Sequence, residues 1–298
     1  MAHARTEARR SDRRAFRPTL DGRLEDRKLL SQLTAIRSRT AAGGQAVVIT
    51  NIDKTQYFVS VVGGGSVRAF PATGGRVSLI VDGSTVDTLL EINQILPMHS
   101  QTAGSHKFNT TNQIYSRLNV ASVTVTSGTI GAIEGYRDSI LSGPIVVSGT
   151  NRVDRIAFEQ VARGGSISVG GDLNTLEILN NADFNVSTGL TVGRDLNWFN
   201  VGGNLTFQNG ARAVIGRDLG LTAQPAKGSG LAGQGLFVNG NLTVGPTSSV
   251  AIVRNNVAAI VVNGNLSGYS RISILGLPLP TYLSTVATNV VVRGTSTP

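Results

Sequence analysis

The sequence predicts an all-β fold: a right-handed parallel β-helix, or β-solenoid, of about 22–24 residues per coil, preceded by a short basic amphipathic helix. Three observations predict it. Glycine supplies 36 of the 298 residues, well above the usual share of about 7%. From about residue 44 onward, short aliphatic runs alternate with Gly, Ser, Thr and Asn. Finally, one five-residue signature returns at nearly constant intervals.

The signature reads aliphatic, two turn residues, Asp or Asn, then Leu. It occurs as Val169-Gly-Gly-Asp172-Leu173, Val192-Gly-Arg-Asp195-Leu196, Ile215-Gly-Arg-Asp218-Leu219, Val238-Asn-Gly-Asn241-Leu242 and Val262-Asn-Gly-Asn265-Leu266. The first residues are 23, 23, 23 and 24 positions apart. Upstream, Val147 and Val125 keep the phase at 22, and Val81 lies 44 before Val125, read as two periods. A leucine-rich frame is missing, and helical repeats are longer and need better helix formers. Three strands of four to five residues with three tight turns fill about 22 positions, one coil of a parallel β-helix.

Residues 189–211 illustrate the division. Strands are predicted at 190–192, 196–201 and 204–207, with turns at 193–195, 202–203 and 209–210. Leu190 and Val192 point inward and Thr191 outward, as a period-two strand requires. One coil cannot bury its apolar side chains alone, but stacked coils about 4.8 Å apart can. The predicted core includes Val169, Leu173, Val192, Leu196, Ile215, Leu219, Val238, Leu242, Val262 and Leu266. At this period residues 45–293 make about eleven coils, a rod roughly 50 Å long.

The chain divides into a basic leader, 1–43, and a parallel β-helix, 44–298. The net charge of +9 sits mostly in the leader. Residues 1–40 hold ten Arg and one Lys against five acids. Leu20, Leu24, Leu30, Leu33 and Ile36 form an apolar stripe at helical spacing, which predicts a basic amphipathic helix that either lies on a membrane surface or, the preferred reading, docks as a cap on the first coil. Open solenoid ends invite polymerisation unless capped. Residues 275–283, with Pro278 and Pro280, are the candidate cap at the other end. Arg13-Arg14-Ala15-Phe16 has a twin-arginine look, but no apolar region follows it. No run is long enough to cross a membrane as a helix.

Phe16, Pro18 and the run Leu24-Glu25-Asp26-Arg27-Lys28-Leu29-Leu30-Ser31 resemble the LEPR-XLL type N-terminal motif, in a form LEDRxLLS. Asp26 stands where the motif has proline. The motif follows an Arg-rich start in bacterial surface and exported β-strand-repeat proteins. The resemblance covers about 16 residues, implies sorting or anchoring at the cell envelope, and implies no enzyme activity.

Residue types exclude several chemistries. There is no cysteine and there are only three histidines, so disulfides and thiolate metal sites are excluded. His99 and His106 flank a loop at a spacing that fits neither a strand face nor a helix face. The body has no basic stripe interleaved with aromatics, so nucleic acid is not an expected partner. Asp172, Asp195, Asp218, Asn241 and Asn265 are expected to stack as one ladder. As turn residues they would cap backbone N–H groups. A cation site is the alternative, with Arg194 and Arg217 placed to neutralise the carboxylates. Glycosidic cleavage wants paired carboxylates in a cleft. Glu159 with Arg155 and Arg163, Asp138 with Arg137, and Asp154 with Arg152 are the nearest clusters, and each reads as a loop ion pair. Of the adjacent Trp198 and Phe199, one should face the core and the other solvent. The sequons at Asn204, Asn241 and Asn265 read as by-products of the repeat. Gly63-Gly-Gly65 and Gly164-Gly165 read as corners, because no phosphate-loop context follows.

The expected role is therefore a non-enzymatic, secreted or cell-envelope structural or adhesive rod without cofactor, metal or catalytic residues. Surface polysaccharide or other envelope proteins are the expected partners, and the rod is expected as a monomer or in end-to-end association. A carbohydrate-active β-helix enzyme, of the lyase or hydrolase kind, is the alternative.

Overall fold

The structure, a computed structural model, describes residues 33–41, 44–51, 53–95, 117–220, 234–254, 257–281 and 290–298. The LEPR-XLL-like run and the loop bearing His99 and His106 lie outside the described residues.

Six strands open the described chain: β1 (Leu33–Ala41), β2 (Gly44–Asn51), β3 (Gln56–Val62), β4 (Ser66–Ala72), β5 (Arg76–Asp82) and β6 (Leu89–Ile95). They begin antiparallel: β1 on β2, β2 on β3, β3 on β6, and β4 on β5. This corrects the predicted capping helix where it can be followed. Leu33 and Ile36 belong to β1, with Ile36 opposite Ile49. The run Leu33–Ala41 is rich in β-branched residues, and as a strand it pairs the backbone edge that β2 would otherwise expose. The parallel ladder expected from residue 44 is corrected too, since parallel pairing starts only at β5 and β6. The β3–β4 turn is made by Gly63, Gly64 and Gly65, at φ 83°, 116° and 87°. A Cβ on Gly63 would lie 2.2 Å from the Asp87 carbonyl oxygen, so this Gly-rich run is a corner.

Beyond β6 the sheet is mostly parallel and each coil contributes to three faces. In one coil these are Leu190–Val192, Leu196–Val201 and Leu205–Phe207. The boundaries follow the residue types: inward Leu, Val and Phe alternate with outward Thr and Asn, and Gly with Asp or Asn turns each corner. Every predicted core position is buried, within one continuous apolar cluster from Val47 to Leu279. On the third face Phe184 and Phe207 stack with ring centroids 5.2 Å apart.

The register departs from the predicted one in two places. Val81 pairs directly with Val125, so their 44-residue interval is one layer, not two. On the first face Val169, Val192, Ile215, Ile252 and Ile274 are successive partners. Val238 is not among them. It stands on the second face, under Val201 and over Val262. The signature therefore serves two corners of the coil, and the run from Ile215 to Val238 jumps from one to the other. The corners at Val192 and Val201 are nine residues apart. Partners that flank the jump, Ile215 with Ile252 and Val201 with Val238, are 37 apart, fourteen more than the regular 23. That insertion and the nine-residue corner step together equal one coil, so the sequence period runs on unbroken.

These longer coils also shorten the stack. The first face is built by β5 and then by Leu118–Val125, Pro144–Val147, Ser166–Val169, Leu190–Val192, Arg212–Ile215, Ser249–Ile252 and Ile272–Ile274. That is eight layers, not eleven, and about 34 Å of height at 4.8 Å per step. At the far end Leu277–Pro278 folds back antiparallel on Ile272–Ile274, through Leu275 and Gly276 at positive φ. Part of the predicted 275–283 cap thus closes the first face; 282–289 lies outside the described residues.

Candidate functional site: two side-chain ladders and a charged face

The predicted single ladder is two ladders, one at each corner. At the first corner Asp172 Oδ1 accepts the Asp195 amide at 3.1 Å, and Asp195 Oδ1 accepts the Asp218 amide at 3.1 Å. Asn241 and Asn265 do not continue this column. They belong to the second corner, where Asn181, Asn204, Asn241 and Asn265 each accept the amide of the next layer. Each side chain thus satisfies a turn N–H that the strand ladder leaves free.

Two of the three carboxylates at the Asp corner are paired from within. Arg217 Nη2 lies 3.1 Å from Asp172 Oδ1 and 2.5 Å from Asp195 Oδ2. Arg194, predicted to share this task, is exposed. Asp195 has become one of the few buried carboxylates, tolerated because a guanidinium and an amide occupy its oxygens. Among the described residues no three or more His, Asp or Glu are placed to hold a metal ion. Side-chain oxygens of Asp172 and Asp195 hold amides and a guanidinium, whereas Asp218 Oδ1 is buried without a hydrogen bond among the described residues.

The predicted acid–base clusters are regrouped. Glu159 pairs with neither Arg155 nor Arg163; its Oε1 meets Arg117 at 2.5 Å and the Asn180 side-chain amide at 3.0 Å. Arg163 instead pairs with Asp183 at 3.2 Å. Arg155 bridges two outward carboxylates of the second face, Glu134 at 3.3 Å and Glu177 at 2.6 Å. Its guanidinium lies 5.4 Å from the Tyr136 ring centroid, a cation–π distance. Burial, followed by a hydrogen bond to Glu177, raises the Tyr136 phenol above its ordinary range. Arg152 and Asp154 form the expected exposed pair at 2.8 Å. The side chain of Asp138 lies outside the described residues. Phe199 faces the core and Trp198 is half-buried on the outside.

The chain matches no family model, no curated protein and no solved structure. Its chemistry has to be read from these contacts alone. Arg155 bridges Glu134 and Glu177, which face outward from adjacent layers on either side of it. The small cavity beneath Ala213, about 20 Å³, is lined wholly by apolar side chains such as Leu190, Phe207 and Val250. Sequence reasoning missed the Arg155 bridge and the Arg117–Glu159 pair. Both join residues from different coils, at spacings of 21 and 22 for the bridge and 42 for the pair. The 21- and 22-residue spacings are close to one period, which is a usable signal for charges facing one another on adjacent layers.

Proposed function

We propose that this chain is a non-enzymatic structural or adhesive β-solenoid, wound right-handed and acting at the cell envelope or outside the cell. Surface polysaccharide or other envelope proteins are its partners. Right-handed winding follows from the twist that governs parallel β crossovers. One observation carries the reading: most of the candidate carboxylates, Glu134, Glu159, Glu177, Asp172 and Asp195, are paired with the chain's own arginines, as in Arg155 between Glu134 and Glu177. The outer surface also presents exposed Asn204, Asn241 and Asn265 beside the half-buried, in-register Thr206 and Thr243. A flat, rigid, polar surface of this kind suits adhesion by many weak hydrogen bonds. The LEPR-XLL-like run supports delivery to the envelope.

The test is fractionation of the producing cells with antibody against the full chain. Recovery in the envelope or medium is expected. Recovery confined to the cytosol overturns the reading, and so does release of reducing or unsaturated sugar ends from polysaccharide by the purified chain.

A further inference from the structure

The third face carries a feature that spans three layers. Asn204, Asn241 and Asn265 lie in three successive layers, and the side-chain oxygen of each is held at 2.8 to 3.0 Å by the next layer's backbone amide. That contact fixes the flip and rotamer of each carboxamide. Each Nδ2 is left without a protein partner among the described residues, on a side chain that is exposed. Two residues along each strand stand Thr206, Thr243 and Ser267, outward and paired in register. Their hydroxyls are likewise without protein partners among the described residues. The result is a two-column array of amide and hydroxyl groups, repeating at about 4.8 Å along the stack.

From this array we propose that the third face is a binding track for an extended, uncharged, β-linked polysaccharide lying along the rod; the inference rests on the envelope-adhesin reading and specifies its ligand. The array's own side chains are uncharged over these three layers, and the guanidinium beside it, Arg271 at Gly268, is too little charge to favour a polyanion. The nearest charge on its outward column, Asp183, is one layer up and already paired with Arg163. Backbone groups of the strands are consumed by the parallel ladder, so an added protein strand finds nothing to pair with. A flat face of repeating donors and hydroxyls instead matches a polymer that itself repeats hydroxyl or acetamido groups at short intervals. Because the carboxamides are locked before binding, little side-chain entropy is lost on contact.

The test is a depletion assay of the full chain on microcrystalline cellulose and on chitin. Retention on at least one is expected. Asn241→Asp keeps the ladder oxygen but replaces the outward N–H donors with an acceptor, and Thr206→Lys/Thr243→Lys obstructs the second column. Each should weaken binding about tenfold with the melting temperature little changed, whereas Thr191→Lys on the first face should bind as wild type. Wild type that binds neither solid overturns the inference, as does binding the third-face variants leave within about twofold. Preference for polygalacturonate, or thermal hysteresis in ice without polysaccharide binding, overturns it in favour of a polyanion or an ice surface. Envelope location without binding would remove this inference alone and leave the adhesin reading standing.

Discussion

The Asn204 side chain accepts the amide of Asn241 at 2.8 Å across 37 residues of sequence, while Asn181 makes the same contact with Asn204 across 23. The fourteen extra residues fall between Leu219, which bridges Leu196, and Gly235, which pairs with Trp198. Those two ends touch: a Cβ on Gly220 would lie 2.6 Å from the Gly235 nitrogen. Among the described residues, the Asn ladder on either side of this segment is made by Asn204, Asn241 and Asn265. Deleting residues 221–234 should therefore splice the coil to its regular length. Loop-closure entropy changes little with loop length, so the melting temperature should stay within about 5 °C of wild type. Thermal unfolding followed by circular dichroism checks this. A fall of more than about 15 °C would mean that the insertion packs into the core.

Arg217 is the second test. It holds Asp172 and the more deeply buried Asp195 together. Removing it leaves a carboxylate desolvated and opposed by its neighbours in the column. Arg217→Ala should cost about 2–3 kcal/mol in urea denaturation. Arg217→Lys should recover less than half, because one compact ammonium replaces a fork that reaches two layers. Pairing Arg217→Ala with Asp195→Asn should regain most of the loss, since the amide oxygen of Asn still accepts the Asp218 N–H.

The alternation of inward aliphatics and outward polar residues made the strands and core legible. The Leu190, Leu196 and Leu205 strands fall where the pattern puts them because burial acts within each coil. Which coil stacks on which is a separate matter. Vertical register depends on how much chain each layer uses, and Gly-Asn-Asp corners look alike wherever they occur. The 215-to-238 step therefore read as one more period when it was an insertion plus a corner change. A clue was present: the corner at Ile215 carries Gly-Arg-Asp, as does the one at Val192, and the corner at Val238 carries Asn-Gly-Asn, as does the one at Val262. The antiparallel start was not legible, because β1 to β6 alternate just as parallel strands do. Ion pairs such as Arg117 with Glu159 join different coils, so no local pattern announces them.

Tyr136 supplies a pH test. Burial and then the Glu177 hydrogen bond raise its phenol, so the folded chain favours the neutral form. The stability this gives is present below the unfolded tyrosine pKa and is lost as pH rises towards and through the folded one. Ionisation of Tyr136, followed by NMR with ring-labelled tyrosine, should come later than that of a free tyrosine. Glu177→Gln should bring it earlier by removing the carboxylate's charge. An unshifted titration in wild type would refute the proximity of the two groups.

Arg117 and Glu159 test how far the interior tolerates charge. Glu159 is 5% exposed, yet it carries a carboxylate whose Oε2 is buried without a hydrogen bond among the described residues. Oε1 depends on Arg117 and Asn180. Arg117 itself is 43% exposed at the side chain, so water weakens the pair but does not replace it. Arg117→Ala should therefore destabilise by about 2–3 kcal/mol, less than a fully buried pair would lose. Glu159→Gln in the Arg117→Ala background should restore a good part of that, because the carboxamide still accepts from Asn180 and carries no charge. Replacing both by leucine should come close to wild type, since desolvating the pair offsets much of its attraction. Urea unfolding of wild type, Arg117→Ala, Glu159→Gln and the Arg117→Ala/Glu159→Gln double variant, combined as a double-mutant cycle, gives the coupling directly. A coupling near zero would mean that Arg117 screens Glu159 from a distance and does not hold it.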